Sequence, residues 1–340
     1  MNTYYITGIS GFLGRNIVRQ LNNQKDVQIV GLVFPNEKGI DNLREQENIT
    51  LIEGNILHQD EVEKFLSCPS EGSKIIIHAA GKISVYKKGD PMTTTINVEG
   101  TKNMVDAALK LGCDRFIYVS SVDSLNKRKG NDVIHEQDTY DIDKVDGVYS
   151  KSKVQANNYV LDIYRNKGLP AIIVLPSALI GPYDPFNSPI NFAIKRFLLG
   201  KLPALVKGQY NVADIRDVAK GIVDASISGK IGESYILCGQ SVITMLDLVN
   251  KAAEIEHKKP IKLLVPIWLV KLGSPFIELD AKIKKKSPLF TGFSMDCLQQ
   301  NSNYSYEKAH NDFGYTPRDI DTTMVDLVNW MKESGYLEKK

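Results

Sequence analysis

The chain has 340 residues, 43% hydrophobic and 24% charged, with a formal net charge of +2. That size and balance suit a large α/β domain with a smaller lobe, exclude a disordered chain, and leave no global basic footprint for nucleic acid. Cys68, Cys113, Cys238 and Cys297 lie far apart without a C-x-x-C pair, and the histidines are scattered. Neither a metal site nor a disulfide framework is expected, and reduced thiols in a cytoplasmic protein are the default. No secretory leader is read at the start. No run reaches the ~20 apolar residues of a membrane span; the nearest, Leu263 to Leu279, is broken by Pro266, Lys271, Pro275 and Glu278.

In chain order, Tyr4–Thr7 reads as a short apolar strand, and Phe12–Leu21 as a helix with Leu13, Ile17, Val18 and Leu21 on one face. Val27–Phe34, Ile49–Glu53 and Lys74–His78 read as further strands, the last apolar enough to be buried on both faces. A helix is predicted over Thr95–Leu111, a strand over Phe116–Ser120, a helix over Tyr149–Arg165 and a strand over Ala171–Leu175. Strand and helix in repeated alternation predict a parallel, doubly wound sheet. After Pro176 the prolines 182, 185 and 189 punctuate a turn-rich segment, followed by helices over Asp217–Ser228 and Met245–Glu256 and a strand over Ser234–Leu237. The expected organisation is a dinucleotide-binding domain over 1–175, with a later return around 211–238, and a mainly substrate-binding lobe over 176–340.

The first strand runs into Thr7-Gly8-Ile9-Ser10-Gly11-Phe12-Leu13-Gly14, with glycines spaced G-x-x-G-x-x-G between a strand and a helix. Such a turn presents a helix N-terminus to a pyrophosphate, and side chains at its glycines would obstruct the turn, the phosphate or the helix–sheet packing. The spacing is one residue wider than the usual dinucleotide fingerprint. It resembles the glycine motif of short-chain dehydrogenases, and TG-x-x-GFLG is typical of their extended branch. The resemblance continues through His78-Ala79-Ala80-Gly81, Asn97-Val98-Glu99-Gly100-Thr101 with Asn103, Tyr118-Val119-Ser120-Ser121, Leu175-Pro176, Gly181-Pro182, Asp214 to Ala219, and Gly314-Tyr315-Thr316-Pro317-Arg318. It implies a Rossmann-type α/β fold with a smaller C-terminal α/β substrate lobe, closest to the dihydroflavonol-4-reductase and 3β-hydroxysteroid dehydrogenase branch.

Carbonyl reduction needs a hydride donor and a proton donor, and the nicotinamide supplies the first. A tyrosine can supply the second if a nearby cation lowers its usual pKa of about 10. Tyr149 and Lys153 share a helix face. Tyr140/Lys144, Tyr304/Lys308 and Tyr336/Lys340 have the same spacing, but only Tyr149 opens a helix between the fifth and sixth strands. Ser120 and Ser121 stand at the end of strand five, where ligands bind in such sheets. By the family pattern Ser121 aligns with the catalytic Ser/Thr and Ser120 is more structural.

The resemblance implies cofactor contacts from Thr7, Gly8, Ser10, Gly11, Phe12, Leu13 and Gly14 in the turn, and from Asn55 and Ile56 beside the adenine. It implies others from Ala79, Ala80 and Gly81 after strand four, from Asn97, Ser120, Tyr149 and Lys153, and from Pro176 and Leu179 over the nicotinamide. Strand two ends in Phe34-Pro35-Asn36-Glu37-Lys38, with neither the acidic residue of NAD enzymes nor an arginine. Lys38 would suit a 2′-phosphate and Glu37 would oppose it, giving a slight lean to NADP over NAD.

Three functions compete: a ketone/alcohol oxidoreductase, a nucleotide-sugar epimerase or dehydratase, and a non-catalytic dinucleotide-binding regulator. Sugar-nucleotide enzymes usually carry R-x-x-N-x-Y-G-P where this chain has Leu175 and Ala178, and the resembling dehydratases carry Thr-Asp-Glu where it has Ser121-Val122-Asp123. A less polar carbonyl or alcohol substrate is expected. No nucleic-acid partner is expected, and a homodimer is in keeping with the family. Lys282-Ile283-Lys284-Lys285-Lys286 after Trp268 would suit either a solvated helix end or a membrane-surface contact, and Lys127-Arg128-Lys129 an exposed loop.

Overall fold

The computed structural model describes residues 1–88, 90–126, 130–272 and 291–338. The two basic stretches, 127–129 and 282–286, lie outside them. Among the described residues no helix is long and apolar enough to cross a membrane.

Seven strands form one parallel sheet: β1 (Asn2–Thr7), β2 (Val27–Val33), β3 (Ile49–Glu53), β4 (Ser73–His78), β5 (Arg115–Val119), β6 (Ala171–Pro176) and, later in the chain, Ser234–Leu237. Three short strands intervene, β7 (Ala178–Ile180), β8 (Leu205–Val206) and β9 (Gln209–Asp214), so Ser234–Leu237 is β10. The spatial order is β10-β6-β5-β4-β1-β2-β3. Order therefore reverses between β1 and β4, whose last residues Thr7 and His78 pair in register. Such a reversal is the place where doubly wound sheets bind ligands.

Both faces of this sheet are covered, which explains why its strands read as continuous apolar runs. One face packs against α3 (Gln59–Leu66), α5 (Gly100–Leu111) and α6 (Val148–Lys167) through Phe65, Met104, Phe116, Val154 and Val160. The other packs against α1 (Phe12–Leu21) and α8 (Ile215–Ser228) through Ile17, Leu21, Ile117, Ile222 and Tyr235. Burying a large apolar side chain at such positions stabilises by ~1.5–3 kcal/mol.

A second core joins α7 (Pro189–Leu198), α9 (Met245–Ile255) and the helix Ile320–Glu333 around Ile180, Ile194, Leu248 and Leu327. The segment after Pro176, expected to be turn-rich, holds a small sheet in the order β11-β9-β7, where β11 is Val242–Thr244. These strands are six residues or shorter, too short for period-two alternation to be distinctive. A partly buried ion-pair network ties this lobe to α8. Asp214 accepts from Arg216 Nη2 at 2.6 Å, Arg216 Nη1 reaches Asp326 at 2.7 Å, and Arg318 Nη2 reaches Asp217 at 2.7 Å.

The helix predicted from Thr95 starts earlier, at Pro91, because Asp90 accepts from the Thr93 N–H and Pro91 fits the first turn. Residues Thr95–Glu99 form a π-helical turn before α5. That turn inserts a residue into the helical register and swings Asn97 inward, a feature frequent at functional sites. Strand β5 ends at Val119, one residue before the predicted Ser120.

Candidate active site

The turn after β1 is built from glycines because nothing else fits. Gly8 has φ +70, and a β-carbon on it would stand 2.9 Å from the Ala80 nitrogen. Helix α1 then starts from Gly11 with no side-chain cap and no acid in its first turn. Its first N–H groups are left for an anion. Ser10, Phe12 and Leu13 are partly exposed around this mouth.

Beyond the turn the chain places a cation that the sequence reading did not single out. Arg15 is 9% exposed and donates to Ser10 O at 2.7 Å, to Gly39 O at 2.5 Å and to Asn42 Oδ1 at 2.8 Å. All three acceptors are neutral. Its signal was present in the sequence, a basic residue directly after the third glycine. Glu37 turns back to accept from the Phe34 N–H at 2.9 Å, while Lys38 is exposed. Asn55 closes its own loop, its Oδ1 accepting from the Leu57 N–H at 3.0 Å. Ile56 is buried against Gly100, where a β-carbon would lie 2.5 Å from Ile56 Cδ1.

At the opposite end the loop Ala79-Ala80-Gly81 leaves β4. Thr7 turns its hydroxyl inward, receiving the Ala80 N–H at 3.1 Å and lying 2.7 Å from His78 Nδ1. Asn97 is buried and clamps this loop: Oδ1 accepts from Lys82 N at 2.8 Å, and Nδ2 donates to Lys82 O and to Ser152 Oγ, each at 2.9 Å. Asn103 donates to Ile56 O at 2.9 Å. The side chains of Thr7 and Asn97 are thus spent on shaping the cradle.

Tyr149 lies in the first turn of α6, which enters through Gly147 at φ +89. Its phenol faces Ser121, which favours ionisation, but burial, with the Asp123 charge, pushes its pKa up. Ser121 is 8% exposed, and its Oγ also accepts from the Asp123 N–H at 3.1 Å. The Ser120 hydroxyl beside it is buried without a protein partner. One turn along α6, Lys153 is 4% exposed and donates to Val119 O at 2.8 Å and to Tyr118 Oη at 3.3 Å. Burial brings its pKa down to about 7. A β-carbon on Gly81 would come within 3.5 Å of Lys153 Nζ, so the loop passes directly over the ammonium. Pro176 is buried and Leu179 partly buried at the ends of β6 and β7.

The competing Tyr/Lys pairs that can be placed lie elsewhere. Tyr140 is buried with its hydroxyl on Ser234 Oγ at 3.0 Å, and Tyr304 is bridged to Ile134.

These residues fit a nicotinamide dinucleotide. A β-carbon on Gly8 or Gly14 would clash with backbone, the α1 amides are free of caps, and the orphaned Ser120 hydroxyl sits beside the Tyr149–Lys153 pair.

Comparison with known proteins agrees with this geometry. The description "NAD dependent epimerase/dehydratase family" matches residues 4–238. A putative dihydroflavonol 4-reductase of Synechocystis sp. is 29% identical over 342 residues, covering 98% of this chain and 96% of the relative. A decarboxylating sterol-4-alpha-carboxylate 3-dehydrogenase of Schizosaccharomyces pombe is 26% identical, covering 97% of this chain and 98% of that protein. The crystal structure of gox2253 superposes with a TM-score of 0.82 at 31% identity, covering 98% of this chain and 99% of that one. The dTDP-glucose 4,6-dehydratase of Bacillus anthracis in complex with NAD shares the fold at a TM-score of 0.78 and 18% identity, covering 99% and 98% of the two chains. The chain belongs to the NAD dependent epimerase/dehydratase family and is an NAD(P)-binding oxidoreductase of the extended short-chain dehydrogenase type.

Proposed function

We propose that this enzyme passes a hydride between a nicotinamide cofactor and a ketone or secondary alcohol of low polarity. The observation that carries the reading is the substrate side of the β6 end. Leu175 is wholly buried in the sheet core and Ala178 opens β7, so neither position offers a guanidinium or an amide to a sugar nucleotide. Val122, which follows Ser121, is buried and has no proton to give. The relatives' names, a dihydroflavonol reductase and a sterol-carboxylate dehydrogenase, are of the same kind.

When bound, the nicotinamide supplies or accepts the hydride. The chain's own residues handle the proton. Ser121 Oγ and the Tyr149 phenol are positioned to hold the substrate oxygen together. Tyr149 donates its proton as the alkoxide forms, and takes one in the reverse direction. Burial opposes that ionisation, so the Lys153 ammonium is required to offset it.

For the cofactor we favour NADPH. Arg15, rather than Lys38, is the basic group fixed at the end of the turn beside the loop that follows β2, and its three hydrogen-bond acceptors are neutral, the Glu37 carboxylate acting on it only through space.

The alternative is a nucleotide-sugar epimerase with tightly held NAD. It is favoured by a cleft of about 450 Å³ at the start of α6, lined by Lys87, Lys88 and Lys151, which would suit a diphosphate. A panel of ketones with NADPH and of UDP- and dTDP-sugars, read by chromatography, separates the two. Net NADPH consumption with ketones supports the first reading. Sugar-nucleotide conversion without net consumption overturns it.

A further inference from the structure

Lys153 stands at one end of a buried chain of polar side chains that the proton chemistry itself does not use. His78, from β4, lies 2.7 Å from Thr7 Oγ1 through Nδ1 and 3.1 Å from Thr101 Oγ1 through Nε2. Thr101, from α5, donates its own proton to Asn97 O at 2.7 Å. The Tyr118 hydroxyl, from β5, faces Thr101, whose side chain favours the ionised form of the phenol. Lys153 Nζ donates to Tyr118 Oη at 3.3 Å and lies 4.9 Å from the centre of that ring. His78, Thr101 and Tyr118 are each wholly or almost wholly buried.

The direction of every proton in this chain follows from one bond. Thr101 has spent its proton on Asn97 O, so its oxygen accepts. It takes the N–H of His78 Nε2 on one lone pair and offers the other to the O–H of Tyr118. His78 Nδ1 is then bare and accepts from the Thr7 hydroxyl. Tyr118, having given its proton to Thr101, has only lone pairs to show Lys153. An ammonium has three N–H groups. Here Tyr118 Oη takes one and Val119 O a second, leaving the third for the ribose of a dinucleotide or the Tyr149 phenol.

We propose that Tyr118, aimed by Thr101 and His78, is a positioning residue that keeps the Lys153 ammonium charged and pointed at the reacting end of the site. This rests on the catalytic reading of Tyr149 and Lys153. Lys153 meets Tyr118 from β5 and its charge acts on His78 from β4, while Tyr149 lies one turn earlier on the same helix with the Asp123 charge acting on it. His78 is held neutral, pushed down to about 3 by burial and by the Lys153 charge, and both tyrosines are pushed up by burial. Burial works against the ammonium too, so an accepting oxygen inside the site matters more than it would in water. Removing that oxygen lowers the affinity of Lys153 for its proton.

The test reads Lys153 directly, without a substrate. In the full chain labelled at lysine Nζ and Cε, NMR titration follows the Lys153 signal, assigned by its loss in Lys153→Met. Tyr118→Phe keeps the ring and removes the oxygen. Thr101→Val frees the Tyr118 proton to turn toward Lys153, whereas Thr101→Ser keeps it in place. The midpoint is expected to fall by about one pH unit in Tyr118→Phe, to fall in Thr101→Val, and to stay put in Thr101→Ser. Should Tyr118→Phe fail to fold, the Thr101 pair gives the same reading. A midpoint unmoved in the folded Tyr118→Phe chain, or moved equally by Thr101→Val and Thr101→Ser, overturns the proposal. Full turnover in Tyr149→Phe would instead sink the catalytic reading and leave the Lys153 titration as it was.

Discussion

Gly14 faces the carbonyl of Gly8 so closely that a β-carbon on Gly14 would lie 2.1 Å from that oxygen. The same β-carbon would meet Ile9 Cα at 2.7 Å, and all of these atoms are backbone, which cannot swing aside as a side chain can. The contact fixes how near α1 approaches the turn and therefore where its free N–H groups point. Gly14→Ala is expected to cost about 3 kcal/mol or more of folding stability, in the range of overpacked cores. Dinucleotide affinity should fall with it. Urea denaturation and quenching of protein fluorescence by NADPH measure the two. Wild-type stability in the variant would mean that the close approach is not part of the solution fold.

Removal of the phenol tests the proton path. Tyr149→Phe leaves the ring and the α6 packing in place and should lower kcat by about 10²–10⁴, the range of a lost general acid. NADPH affinity should change little. Ser121→Ala removes one of two hydroxyls and should cost less, because Tyr149 can still hold the oxygen alone. Steady-state rates with whichever ketone the panel identifies, beside NADPH binding by fluorescence, separate chemistry from binding.

The glycine turn, the strand–helix alternation and the Tyr149/Lys153 pair were legible in the sequence because each is a local pattern with a local cause. The π turn at Thr95–Glu99 was not, since its extra residue leaves the apolar spacing of α5 untouched. The small sheet after Pro176 was hidden by the brevity of its strands. The partners of Arg15 and the His78 network were invisible for another reason. Arg15 finds its acceptor 24 residues away at Gly39, and Thr7 meets His78 across 71 residues of sequence. The first exists only once α1 lies beside the loop after β2, and the second only once β1 lies beside β4. In the same way Thr7 and Asn97, expected at the cofactor, prove to have their side chains turned to the protein.

The neutral His78 makes stability depend on acid. Its folded pKa is about 3 against an ordinary 6.5, so between those values the unfolded chain carries a proton that the folded chain does not. Stability then rises with pH across this window. The contribution is fully present above the unfolded value and drains away as pH falls from 6.5 toward 3, by about 1.4 kcal/mol per unit. Urea denaturation at a series of pH values from about 7 down to about 4 should show that slope, and His78→Gln should flatten it while lowering stability at pH 7. An unchanged slope in the variant would assign the acid sensitivity to other groups.

Under the proposed preference for NADPH, Arg15 decides the cofactor. Its guanidinium is anchored on three neutral oxygens, so its orientation is fixed before any ligand arrives and little entropy is lost on binding an anion. A 2′-phosphate at this point would gain a charge-assisted bond, and NADH, with only a hydroxyl there, would not. Arg15→Met should therefore weaken NADPH binding by about 10–100-fold. NADH binding should weaken only as far as the loss of the Gly39 and Asn42 bonds loosens the loop. Lys38→Ala, an exposed side chain, should leave the NADPH/NADH ratio nearly unchanged. Binding of both cofactors to both variants, measured by fluorescence at low and moderate salt, reads the ratio. Equal losses for NADPH and NADH in Arg15→Met would make the arginine a loop anchor and return the cofactor preference to NAD.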